Sequence, residues 1–191
     1  MRYRSSQALS QNPIVIIILL NFLLLITTYV AREFIIGNLG LWPIFVLKQP
    51  WTILTSMFLH VGFWHLFGNM LTLFFFGSYL SRLVGDNKFL IVYFGGGILG
   101  SILFILLAPP LSVAIGASGA VYAVAGALVM MRPNLRVLLY FIVPMPLWVV
   151  IALFFVVFSF IPGVAWQAHL GGLIVGLTAG YFFRRRERYQ R

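Results

Sequence analysis

The chain has 191 residues, 62% hydrophobic and 8% charged, with a net charge of +10 and no cysteine. A soluble domain of this length cannot carry so much apolar side chain on a solvated surface, so the composition points to an all-α integral membrane protein. The absence of cysteine excludes disulfides, thiolate metal sites and thiol catalysis.

Residues 1–12 are polar and contain Arg2 and Arg4. The apolar run 13–31 exceeds the roughly 7 to 15 residues of a signal-peptide core and lacks a small-residue cleavage pattern, so it reads as a retained first transmembrane helix. Residues 32–59 are interrupted by Gly37, Gly40, Pro43, Lys48 and Pro50, yet carry Phe34, Leu41, Trp42, Phe45 and Trp51. Such a segment belongs in the membrane interface, where aromatic rings sit between water and hydrocarbon. Further spans are expected over 63–80, 89–107, from about 115 to just before Arg132, from about Pro146 to 160, and over 164–183. A polar loop is expected at 81–88, and Pro146 would open the fifth helix. Six spans place both ends on one side of the membrane. The expected organisation is an N-terminal cytoplasmic segment 1–12, a membrane domain 13–183 and a basic cytoplasmic tail 184–191.

Eleven of the thirteen basic residues fall on one face of this arrangement: Arg2, Arg4, Arg82, Lys88, Arg132, Arg136, Arg184, Arg185, Arg186, Arg188 and Arg191. Only Arg32 and Lys48 lie opposite, and the positive-inside rule then puts both termini in the cytoplasm. The basic tail reads as a topology anchor and anionic-lipid contact. Nucleic-acid binding would need a reading surface outside the bilayer, and no domain supplies one.

The three histidines, His60, His65 and His169, fall on the side opposite the basic termini. Polar groups at membrane depth are costly and mark a protein interior or a water-filled cavity. Ser118 lies at the same depth, within Gly116-Ala117-Ser118-Gly119-Ala120-Val121-Tyr122 at the start of the fourth helix. Small residues around a serine are also what closely packed membrane helices use, so this stretch alone fits plain helix packing. His65 and Asn69, four apart, share a helical face. His60 and His65 are five apart, about 140° around a helix, which is unsuitable for a shared metal. The acids Glu33, Asp86 and Glu187 are scattered, which leaves neither an aspartic dyad nor a metal site. Serine chemistry is the hydrolytic option that remains.

In that chemistry His169 takes the proton of Ser118 as the hydroxyl attacks a peptide carbonyl, and returns it to the leaving amine. With no acid at that depth the pair is a dyad. The Ser118 amide at a helix N-terminus, Asn69 and His65 are the candidate oxyanion donors, and Gly116 and Gly119 permit close approach. Gly172, Gly176 and Gly180 repeat every fourth residue and form a groove for the fourth helix, and Tyr122 is placed to stack on the imidazole. No cofactor is called for.

His60-x4-His65-x3-Asn69, Gly116-Ala117-Ser118-Gly119 with Tyr122, and Ala168-His169-x2-Gly172-x3-Gly176, in this order, resemble the rhomboid intramembrane serine proteases. The resemblance implies a six-helix bundle with a membrane-embedded first loop, a Ser118/His169 dyad, an oxyanion site with His65 and Asn69, and a structural role for His60. It also implies cleavage of other proteins' transmembrane segments near their external ends. Two positions depart from the family pattern: Thr52 follows Trp51 where many members have arginine, and Ser81 stands where an acid is common near the end of the second helix. Without a seventh helix or added domain, the chain reads as a minimal core in a prokaryotic plasma membrane, its site open to the external side. Movement of the fifth helix, or of the capping loop near Ala114, would admit substrate. The alternative is a non-catalytic rhomboid-like binder or chaperone of membrane proteins. A transporter ranks third, since no internal repeat is visible.

Overall fold

The computed structural model describes residues 12–139 and 142–189. The N-terminal segment with Arg2 and Arg4, and the terminal Arg191, lie outside the described residues. Helix α1 (Pro13–Val30) starts where the Asn12 side chain accepts the Ile14 amide at 2.9 Å, with proline in the first turn. Its buried residues, Ile14, Ile17, Asn21, Leu25 and Thr28, recur every three to four positions and form the inward stripe. Asn21 and Thr28 donate to carbonyls one turn back, as apolar surroundings require of polar side chains.

The next segment is folded into short helices. It contains α2 (Arg32–Leu39) and the short α3 (Thr52–Thr55). Trp51 Nε1 donates to Asn38 O at 2.8 Å, and Thr55 Oγ1 to Leu39 O at 2.8 Å. Leu41 and Ala114 exchange both backbone hydrogen bonds, and the Ile44 amide donates to Pro110 O, so this loop is sewn to the strand-like segment that precedes Ser118. Ile44, Phe45, Leu47 and Trp51 remain exposed along its rim.

Helix α4 (Phe63–Thr72) continues through a π-helical turn, Leu73–Gly77, into α5 (Ser78–Val84). Gly85, at φ 91°, ends it and leads directly into α6 (Asp86–Leu107). The expected polar loop over 81–88 is therefore a single left-handed residue, a backbone state that only glycine adopts without strain. Asp86 opens α6 and accepts a hydrogen bond from Ser81 Oγ.

Helices α6, α7 (Ser118–Met131) and α9 (Trp166–Tyr189) form the core. They meet backbone to backbone. A methyl group at Gly96 would collide with Ala123, one at Gly172 with Gly119 O, and one at Gly176 with Ala123 O; at Gly100 it would stand 2.6 Å from Ala168 O. Helix α9 does not stop at residue 183 but runs on through Arg184–Arg186 to Tyr189, and Arg184 Nη1 caps the α7 end by donating to Met130 O at 3.3 Å.

Between α7 and α8 (Leu147–Ser159) lies a short hairpin that the expected helical bundle did not include. Strands β1 (Arg136–Leu139) and β2 (Val143–Pro146) pair antiparallel, with Arg136 opposite Pro146 and Leu138 opposite Pro144. Two prolines two residues apart cannot continue a helix, and β2 ends where Pro146 hands over to α8. Of α8, only Leu147, Val150 and Ile151 are buried.

Among the described residues, α1 and α6 are each long and apolar enough to cross a membrane. A third span counts if the pair Thr52–Phe58 and Phe63–Val84, bent by 94°, is taken as one.

Candidate active site

The site is built at the starts of α4, α7 and α9. Gly116 has φ 132°, and its amide donates to Ser56 O at 2.9 Å, which turns the chain so that Ser118 is the first helical residue of α7. There the first-turn amides have no intrahelical acceptors and present partial positive charge. His169 lies in the first turn of α9, and the Gly172–Gly119 contact one turn farther on brings the two helices close enough for its ring to reach the serine. His169 Nε2 stands 2.8 Å from Ser118 Oγ. An imidazole nitrogen at that distance can accept the hydroxyl proton when the ring carries its own proton on Nδ1.

His169 Nδ1 is buried and, among the described residues, no group hydrogen-bonds to it. The ring is held instead by packing: Tyr122, one turn after Ser118, stacks on it with centroids 4.6 Å apart at 28°. Phe155 of α8 meets the same tyrosine edge-on at 6.1 Å.

On α4, His65 faces Gly116. A methyl group at Gly116 would lie 2.9 Å from His65 Cε1, 3.0 Å from its Nε2 and 3.8 Å from Ser118 Oγ, so the imidazole, the glycine and the hydroxyl surround one small space. His60 precedes α4, is fully buried, and packs edge-on against His65 with centroids 4.9 Å apart. Asn69 is placed differently from a free donor: its Nδ2 donates to His65 O at 3.0 Å and faces His60 Nε2 at 3.3 Å. Both amide hydrogens are thereby engaged in fixing the two histidines.

Behind Ser118 and Gly119 is a cavity of about 20 Å³, room for about one water, lined in part by Ser56, Met57, Ser101 and Ala114. Sequence reasoning did not single out Ser56, Met57 or Ser101. Ser101 Oγ donates to Ile53 O at 3.0 Å, a contact across 48 residues, and only its place beside Gly100 in an apolar helix hinted at an interface.

The Rhomboid domain family model matches residues 47–186. The chain is 34% identical over 161 residues to Rhomboid protein 1, mitochondrial, of Saccharomyces cerevisiae, covering 73% of this chain and 44% of that protein. It is 34% identical over 130 residues to Rhomboid protease GluP of Bacillus subtilis, covering 68% of this chain and 25% of that protein. Inactive RHOMBOID-like protein 8 of Arabidopsis thaliana is 37% identical over 83 residues, covering 42% and 24%. The chain spans less than half the length of each of these relatives. With a family model covering more than half of its length, the chain belongs to the rhomboid family.

Proposed function

We propose that the protein is an intramembrane serine endopeptidase that cuts peptide bonds in or near transmembrane segments of other membrane proteins. The observation that carries this reading is the 2.8 Å contact between His169 Nε2 and Ser118 Oγ at the recessed end of a short helix. Helix α7 has 14 residues, about 21 Å, against a hydrocarbon core of about 30 Å, so its first residue lies below one membrane surface when its last reaches the other.

Ser118 Oγ attacks the substrate carbonyl carbon while His169 Nε2 takes its proton. The oxyanion that forms is met by the Ser118 amide and by His65 beside Gly116, donors already in place before the charge develops. Protonated His169 then gives its proton to the amine as the C–N bond breaks. Water, deprotonated in turn by His169, hydrolyses the ester, and Ser118 regains its proton. The cavity lined by Ser56 and Ser101 gives that water a place beside the ester. Asn69 and His60 hold His65 in position, Tyr122 holds His169, and Gly119, Gly172 and Gly176 set the helix spacing.

The six spans are α1, the α4–α5 helix, α6, α7, α8 and α9, with the α2–α3 loop embedded at one interface. Arg82, Lys88, Arg132, Arg136 and Arg184–Arg186 gather at the ends remote from Ser118, so these ends face the cytoplasm and the site opens to the external side of a plasma membrane. Substrate enters beside α8, the least buried of the helices next to the site. One relative is named inactive, but here both members of the dyad are present and in contact.

The test is cleavage of a fluorogenic transmembrane peptide in proteoliposomes by the intact chain, Ser118→Ala and His169→Ala. Turnover is expected to vanish in both variants with thermal stability retained. Equal turnover in Ser118→Ala would remove the proposal.

A further inference from the structure

The β1–β2 hairpin has two different faces. Val137 packs against the core and sits opposite Met145, while the Leu147 amide donates to Leu135 O at 2.8 Å, so the hairpin is fixed to the end of the bundle. The other face carries Arg136, Leu138 and Pro144, with Leu138 57% exposed. At its far end Ile142 is 77% and Val143 51% exposed. An isolated two-stranded ribbon is marginal in water, and one that shows this much apolar surface needs a cover.

Position and charge identify the cover. The hairpin joins the end of α7 to the start of α8, so it lies at the level where those helices leave the hydrocarbon. Past Pro146, α8 opens with Trp148 exposed at the junction, where interfacial aromatics belong. Around it the end of the bundle is basic. Arg184 reaches the last turn of α7, Lys88 lies 5.7 Å over the Phe183 ring, and Arg132 and Arg136 flank the turn into β1. An apolar face bordered by cations matches a leaflet of anionic phospholipid, in which acyl chains meet Leu138 and Ile142 and phosphates meet the guanidinium groups.

We propose that the hairpin is a docking surface for anionic phospholipid, its outer face lying against the leaflet and Arg136 meeting headgroup phosphate. The inference rests on the membrane orientation given above and not on the Ser118 chemistry, so its test does not read cleavage. The chain has no cysteine, so Ile142→Cys in the 191-residue chain gives a unique site for an environment-sensitive fluorophore. The labelled protein is reconstituted in mixed phosphatidylcholine and phosphatidylglycerol bilayers, with one lipid or the other brominated as quencher. Quenching by brominated phosphatidylglycerol is expected to exceed that by brominated phosphatidylcholine, with a relative association constant of about five that falls to near one in Arg136→Ala, the worth of one basic side chain at an anionic surface. Equal quenching by both lipids would overturn the anionic preference. Quenching by neither, with iodide in the aqueous phase also excluded, would show that a protein surface covers the hairpin instead. Free access to iodide would show that nothing covers it.

Discussion

Gly172 on α9 lies so close to Gly119 on α7 that a methyl group there would collide with the Gly119 carbonyl oxygen. His169 lies one turn before Gly172 on α9, and Ser118 is the residue just before Gly119 on α7. The contact therefore sets the distance at which imidazole and hydroxyl meet, and the backbone must yield to admit any larger residue.

Gly172→Val is expected to cost about 1–3 kcal/mol of stability, the usual range for overpacking a tight interface, and to abolish turnover through the lost hydrogen bond. Thermal unfolding in detergent and cleavage in proteoliposomes measure the two effects. A Gly172→Val variant with normal turnover would show that the helix spacing does not govern the dyad. Gly163 serves as control: it has open space around it but φ 82°, so Gly163→Asn, which tolerates that backbone state, should leave turnover intact.

Asn69 was expected to offer its amide to the oxyanion, but both amide hydrogens are directed at His65 O and His60 Nε2. We propose that these contacts let Asn69 hold His65. Asn69→Ala leaves the buried His60 Nε2 without its donor, at about 1–3 kcal/mol. Turnover and thermal stability should fall together, and Asn69→Ser should restore neither, because a hydroxyl on the shorter side chain carries one donor instead of two. If Asn69→Ala lowered kcat without loss of stability, direct oxyanion binding would be the better account.

How much was legible depended on whether the signal was local. The change from polar to apolar residues at 12–13 and the arrival of Arg132 marked helix ends locally, and α1 and α7 lie close to the expected bounds. The start of α7 moved from about 115 to Ser118 because Gly116 adopts φ 132°, a state the sequence permits but does not announce. The hairpin was hidden because residues 137–143 are a continuous apolar run, whose lack of periodicity cannot separate strand from helix. At 81–88, charged residues suggested a loop where they in fact occupy helix ends on either side of Gly85. The same stretch explains one departure from the family pattern: Ser81 has no acid of its own but bonds to Asp86 of the next helix. In the site, Ser118 and His169 were readable because glycines at fixed spacing implied the helix contact. The cavity residues Ser56 and Ser101 meet there only through long-range folding, which no local pattern encodes.

The Leu41–Ala114 bridge ties the α2–α3 loop to the segment that aims Gly116 at His65. Its two hydrogen bonds, 3.0 and 2.9 Å, lie two residues before the glycine whose own amide is held by Ser56 O. Both anchors come from the same loop, so that loop fixes the backbone from which Ser118 starts. Ala114→Pro removes the amide that donates to Leu41 O and restricts Val113 as well. The peptide segment at 114–116 should then lose its register against His65, and the oxyanion donors would no longer converge. Because the interaction lost belongs to the transition state and not to substrate binding, kcat should fall about tenfold or more, each tenfold corresponding to about 1.4 kcal/mol, while KM changes little. Steady-state kinetics in proteoliposomes separates the two constants. A rise in KM at constant kcat would mean that the bridge serves substrate entry and leaves the dyad geometry untouched.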